Sequence, residues 1–138
     1  MGKIIYREPI NGKVLDIEVD NKMTDLELVF VFENGERIKL SYDHNQDCCE
    51  HVYADFEQIK YYKKEIIGKE FKEMVIQGVD EIGFIICLYQ DWEKAVKVFV
   101  PCYNEQNGYY GSNLDLIITS NGIKKTIDIS GLVEDNTA

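Results

Sequence analysis

The residues best suited to chemistry lie in one short segment. Residues 43–51 contain both histidines of the chain and two of its four cysteines. Thiolate and imidazole are ligands that Zn²⁺ prefers. The candidate ligands are His44, Cys48, Cys49 and His51. The two cysteines are adjacent, however, and neighbouring side chains of an extended chain point apart. A complete site would therefore need Cys87 or Cys102 from distant strands, and we keep metal binding as an alternative only.

The same segment could supply a catalytic Cys–His pair, in which imidazole activates a thiolate. Such a nucleophile also needs an oxyanion hole, and no glycine-rich turn directly follows Cys49. The alternative is that one cysteine packs in the core, the other is a tolerated thiol, and the polar residues fix a loop. We predict a protein without catalytic residues or cofactor. The N-terminus lacks the pattern of a signal peptide, so we expect reduced thiols and a cytoplasmic location.

A tyrosine-rich turn is the second candidate site. Tyrosine and asparagine on a loop can line a ligand pocket, because tyrosine offers apolar area and a polar tip. The residues proposed for this alternative are Asn107, Tyr109, Tyr110 and Arg37. Arg7 and Arg37 are the only arginines of the chain, which weakens the case for a nucleotide pocket built on arginine clamps.

The strongest compositional signal is acidity. The net charge is −10, which argues against direct binding to nucleic acid or to an anionic membrane. Between Val14 and Glu57, Lys22, Arg37 and Lys39 alone oppose a long series of acids. One acidic face would attract a basic protein surface; the alternative is that the acidity serves solubility alone. The predicted contact residues are Asp16, Glu18, Asp20, Asp43, Asp47 and Glu50, together with Trp92 at a hairpin tip.

Strand patterns surround these residues. Leu15, Ile17 and Val19 alternate with acids, which predicts one face of a half-buried strand. Two further strands carry their apolar residues at 26–32 and at 38–42. A three-residue loop, 33–35, would pair Phe30 with Ile38 and keep the large apolar side chains on one face.

Later segments complete the prediction. Asp55 and Gly68 suit the ends of a helix near 56–67, and residues 83–89 are apolar enough for a strand buried on both faces. A two-residue Asn121-Gly122 turn pairs Leu116 with Ile127. We predict an α+β fold, mainly antiparallel β with about eight or nine strands and one helix. We expect one domain over 1–138, with a frayed tail at 133–138.

Two motifs carry a resemblance. Residues 47–53 and residues 107–112, in this order, resemble an uncharacterised family of small bacteriophage and prophage proteins. Its members carry D-C-C-E-x-V-Y after a glycine-turn hairpin, and later an S-N-G-Y-Y turn. The chain departs from the family pattern at 54–57 and at 84–89. The resemblance implies a phage or prophage setting and assigns no activity, and small phage accessory proteins are often counter-defence factors.

Three functions are therefore open. The first is a non-enzymatic inhibitor that binds a basic host defence protein, such as a CRISPR effector, through an acidic face. The second is a sponge that sequesters a nucleotide immune signal, which requires Arg or Lys beside an aromatic ring. The third is a Cys/His metal-binding protein. We rank them in this order because the charge distribution favours the first, and exposed strand edges would also allow a homodimer.

Overall fold

The computed structural model describes residues 3–22, 25–43, 52–104 and 114–135. These residues form one sheet of ten strands. The strands are β1 Lys3–Lys22, β2 Asp25–Phe32, β3 Arg37–Asp43, β4 Val52–Ala54, β5 Glu70–Val79, β6 Gly83–Tyr89, β7 Ala95–Asn104, β8 Asp115–Ser120, β9 Ile123–Asp128 and β10 Glu134–Asp135. A helical segment lies between β4 and β5 as a 3-10 helix, Phe56–Tyr62, followed by α1, Lys63–Ile66. The predicted fold class, mainly antiparallel β with one short helix, is confirmed.

The long strand β1 joins two halves of the sheet. Its first part pairs with β5, and its second part, from Val14, pairs with β2. The strand order is β10-β7-β6-β5-β1-β2-β3-β8-β9, with β4 also paired to β7. Every pair is antiparallel except β10 with β7. The Lys125 ammonium of β9 lies 5.5 Å from the Tyr6 ring of β1, so the two halves of the sheet approach each other.

Both predicted hairpin registers are confirmed. Phe30 pairs with Ile38, and the loop between these strands ends at Gly35, whose φ of 89° is the left-handed value required there. Leu116 pairs with Ile127. Asn121 and Gly122 have φ values of 52° and 78°, as a type I′ turn demands. Local turn chemistry therefore sets both registers, and one-sided burial supports the first of them, whereas β9 is largely exposed.

The strand predicted from Leu15, Ile17 and Val19 needs a correction. The β1–β2 register shifts between Val14 and Asp16, so an extra residue bulges from the strand there. Val14 and Ile17 are buried, whereas Leu15 is 60% exposed. The bulge reverses the side of the sheet that the preceding residues face, which a strict alternation of apolar and polar residues cannot reveal.

The helix has the predicted boundaries and a tighter form than expected. Asp55 accepts a hydrogen bond from the Glu57 N–H at 3.0 Å, and Gly68 adopts a φ of 84° just after its end. Most of its residues are in 3-10 conformation. Phe56 is fully buried between Tyr42 of β3 and Phe84 of β6, with ring centroids 6.2 and 6.3 Å away. The segment thus fills the core between the two halves of the sheet.

The predicted frayed tail is wrong for its first residues. Val133 is buried, and Glu134 and Asp135 pair in parallel with Tyr103 and Asn104 of β7. A short 3-10 turn, Ser130–Leu132, brings the chain from β9 to this position. Burial of Val133 offsets the entropy that would otherwise release these residues. The described residues contain no helix long and apolar enough to span a bilayer.

Candidate functional site

Three aspartates lie side by side on adjacent strands. Asp43 pairs with Asp115, and Asp115 pairs with Asp128, so the three residues cross β3, β8 and β9 in one line. Their neighbours Tyr42, Leu116 and Ile129 are buried in the core. Because side chains alternate along a strand, the three carboxylates project from the outer face of the sheet. We call Asp43, Asp115 and Asp128 the acidic row.

No ion pair with a described residue balances the acidic row. Within the described part of the chain, no Lys or Arg forms an ion pair with any of its three carboxylates. Hydrogen bonds from the Ser130 hydroxyl and N–H hold the pKa of Asp128 below its usual range. Like charges directly opposite on neighbouring strands repel. The fold therefore tolerates an unfavourable arrangement here, and the row presents concentrated negative charge to solvent.

The acids predicted from β1 are arranged differently. Arg37 of β3 forms an ion pair with Glu18 at 3.0 Å, and Lys39 forms one with Glu27 at 3.6 Å. Asp16 lies at the bulge, where its carboxylate accepts the N–H of Ile17. Among the described side chains, the outer face of β1 to β3 is therefore of mixed charge rather than uniformly acidic.

Among the remaining predicted contact residues, Trp92 is described by the structure and does not join this surface. Trp92 lies in the loop between β6 and β7 and is 85% exposed. It lines a groove on β1, β5 and β6 that contains none of the predicted acids. Asp43 is thus the one predicted acid that the structure places in the acidic row. Asp47 and Glu50 lie outside the described residues, as does the side chain of Asp20.

The alternative ligand site is not assembled by the described residues. Arg37 lines a shallow groove of about 610 Å³ with Glu18, Glu27 and Lys39, and none of the described residues that line it is aromatic. The proposed partners of Arg37, which are Asn107, Tyr109 and Tyr110, lie outside the described residues. The geometry therefore gives no support to a nucleotide site at Arg37.

The alternative metal site also falls on residues that the structure does not describe, namely His44, Cys48, Cys49 and His51. The two distant cysteines considered as completing ligands are both buried and unbonded to each other. Burial raises the pKa of Cys102 to about 12 and also raises that of Cys87. Both buried thiols therefore favour the protonated form, which makes them poor nucleophiles.

Two members of the acidic row were not predicted. Asp115 and Asp128 stand opposite each other in the register that the Asn121-Gly122 turn already implies. The sequence therefore contained the signal for that pair. Asp43 joins them only through the pairing of β3 with β8, strands separated by more than seventy residues, and no local pattern encodes that pairing.

The comparisons with known proteins assign the chain to a family. A family model described as a domain of unknown function, DUF7448, matches residues 2–116. This chain belongs to the DUF7448 family. The match confirms an uncharacterised family, and it includes Asp43, Asp115 and the groove beside Trp92, while Asp128 follows it. The search of curated proteins found no match, and neither did the search of solved structures.

Proposed function

We propose that this member of the DUF7448 family is a non-enzymatic phage or prophage accessory protein. It acts in the cytoplasm of the bacterial host as a counter-defence inhibitor, in the manner of an anti-CRISPR protein. Its partner is a basic host defence protein, and the acidic row supplies the contact. The observation that carries the proposal is the line of Asp43, Asp115 and Asp128, in which no carboxylate forms an ion pair with a described Lys or Arg.

The spacing of the row suits a basic channel. Adjacent strands lie about 5 Å apart, so the three carboxylates form a short, regular series of negative charges. DNA and RNA present charges of the same sign in a regular series to their binding proteins. A row of this kind competes with nucleic acid for Lys and Arg side chains, and the net charge of −10 adds long-range attraction.

The position of the row also suits binding. The carboxylates project from strands, which hold them more firmly than a flexible loop would. Asp128 is further fixed by its two hydrogen bonds from Ser130. A fixed row loses little conformational entropy when a partner binds. A cationic partner surface reduces the repulsion between the three carboxylates, and this reduction adds to the free energy of binding.

The test is competition between this protein and nucleic acid for purified defence effectors. Fluorescent DNA or guide RNA is bound to each effector, and its displacement by the protein is followed by anisotropy at several salt concentrations. Displacement that weakens as salt rises is expected, because salt screens the charges. If no effector in the panel loses its nucleic acid, the proposal is wrong.

A pair of variants locates the contact. The triple variant Asp43→Asn, Asp115→Asn, Asp128→Asn removes the charge of the row, and we expect displacement to weaken by about tenfold or more. The matched control, Asp80→Asn, Glu81→Gln, Glu93→Gln, changes the net charge equally at exposed turn residues far along the chain from the row. Equal weakening in both variants would show that total charge, rather than the row, drives binding.

A further inference from the structure

A second groove lies on the other half of the sheet. It has a volume of about 430 Å³, and its lining includes Arg7, Lys72, Glu73, Tyr89, Asp91 and Trp92. This volume lies within the range of small-molecule sites, roughly 300–1,000 Å³. Residues 83–89 were expected to be buried on both faces, but Tyr89 is only partly covered on the outer side. The strand therefore leaves an aromatic ring available on that surface.

The groove combines cations with aromatic rings. Arg7 and Lys72 are exposed, and neither forms an ion pair with another residue that the structure describes. Tyr89 and Trp92 contribute their rings to the same groove. A guanidinium group binds phosphate in a bidentate manner, and an exposed indole stacks on the flat face of a base. A nucleotide sponge requires Arg or Lys beside an aromatic ring, and the described residues provide this combination here but not around Arg37.

The distances across the sheet suit one small ligand. Arg7 pairs with Val75 of β5, and Val75 pairs with Cys87 of β6, two residues before Tyr89. Arg7 and the aromatic strand are therefore two strand spacings apart, about 10 Å. A nucleotide whose phosphate binds Arg7 can therefore place its base, which is linked to the phosphate through the ribose, against the aromatic rings.

Two carboxylates complete the lining. Asp91 is held in place because its oxygen accepts the N–H groups of Glu93 and Lys94 at 2.8 and 2.7 Å. These hydrogen bonds are the main cause of the lowered pKa of Asp91, and the charges of Lys94 and Lys72 add to it. Asp91 and Glu73 are acceptors, and ribose hydroxyls and base amino groups are donors. The carboxylates disfavour a simple polyanion and favour a ligand with both phosphate and hydroxyl or amino groups.

The geometry points to a nucleotide-binding site in this groove. Its ligand is a small nucleotide with at least one phosphate, which Arg7 and Lys72 bind while Trp92 and Tyr89 stack on the base and Glu73 and Asp91 accept from the sugar or base. The net charge of −10 repels a long nucleic acid strand, so we favour a free nucleotide as the ligand. The site is independent of the acidic row.

The protein contains its own reporter. Trp92 is the only tryptophan of the chain, so all tryptophan emission comes from the proposed site. Titrations with AMP, ADP-ribose and cyclic di-AMP, corrected for nucleotide absorbance with free tryptophanamide, should give saturable quenching for at least one nucleotide. Adenosine lacks the phosphate and inorganic phosphate lacks the nucleoside, so each should bind at least about tenfold more weakly than that nucleotide. Absence of saturable quenching with every nucleotide would overturn the site.

Two arginine variants test the phosphate contact. Arg7→Ala should weaken nucleotide binding by about tenfold. The control is Arg37→Ala, which removes the other arginine of the chain from a different groove and should leave nucleotide affinity unchanged. Binding of a short oligonucleotide without binding of any free nucleotide would contradict the proposal. A second result would also contradict it: tryptophan quenching that increases with protein concentration in the absence of nucleotide, together with dimer formation in light scattering. The groove would then bind a second copy of the chain.

Discussion

The acidic row predicts a substitution that stabilises the protein. Asp115 is the central member and faces a like charge on both sides, Asp43 on β3 and Asp128 on β9. Two charges about 6 Å apart in water repel by about 0.7 kcal/mol. Two neighbours therefore cost about 1.4 kcal/mol at low salt. Screening at physiological ionic strength reduces this repulsion to about 0.6 kcal/mol, within the range measured for cross-strand pairs.

Asp115→Asn should remove this cost without a change of shape. Asparagine is isosteric with aspartate, and the two residues are similarly unfavourable in strands. At low salt we expect the free energy of unfolding to rise by about 1 kcal/mol, and Tm to rise by about 3 °C for a chain of this length. Urea denaturation and differential scanning calorimetry at two salt concentrations measure both quantities, and the gain should shrink by about half in the higher salt.

Asp80→Asn is the control for total charge. Asp80 is exposed in the turn between β5 and β6, and its substitution changes the net charge equally. It should raise stability by less than half as much, since surface substitutions are usually within about 0.5 kcal/mol. If Asp115→Asn gives no more than Asp80→Asn, or if its gain does not depend on salt, the three carboxylates do not repel one another as argued.

Three further predictions test the fold. Ile17→Ala should cost about 2–5 kcal/mol and Leu15→Ala less than about 0.5 kcal/mol by urea unfolding, because the bulge buries the first and exposes the second; equal costs would exclude the bulge. Phe56→Ala should cost about 3–5 kcal/mol, since the ring fills the core between the two halves of the sheet, and a loss under about 1 kcal/mol would contradict that position. Burial raises the pKa of Cys102 from 9.0 to about 12, so its contribution to stability is complete below pH 9.0 and is lost as the pH rises towards 12. The free energy of unfolding, measured at several alkaline pH values, should fall over this range, and it should fall less in the Cys102→Ala variant.

Much of the fold follows from local rules in the sequence. The two hairpins are set by Gly35 and by Asn121-Gly122, which favour positive φ, and the first is also set by the apolar face that β2 and β3 bury. Asp55 and Gly68 fix the two ends of the helical segment, because Asp55 accepts the N–H of Glu57 and Gly68 adopts a positive φ. These features require only residues close together in the chain, so the sequence predicts them well. The tight 3-10 form of the helix depends instead on how Phe56 reaches between Tyr42 and Phe84.

The candidate site depends on pairings between distant segments. The sequence alone determined the excess of acid and, through the turn, the pairing of Asp115 with Asp128. Only the tertiary structure added Asp43 to that pair, placed Arg37 against Glu18 at 3.0 Å, and brought Arg7 into one groove with Trp92. The physical reason is that the order of strands in a sheet is fixed by the burial of the whole core. A carboxylate therefore acquires its neighbours, and with them its charge environment, only when the complete sheet has formed.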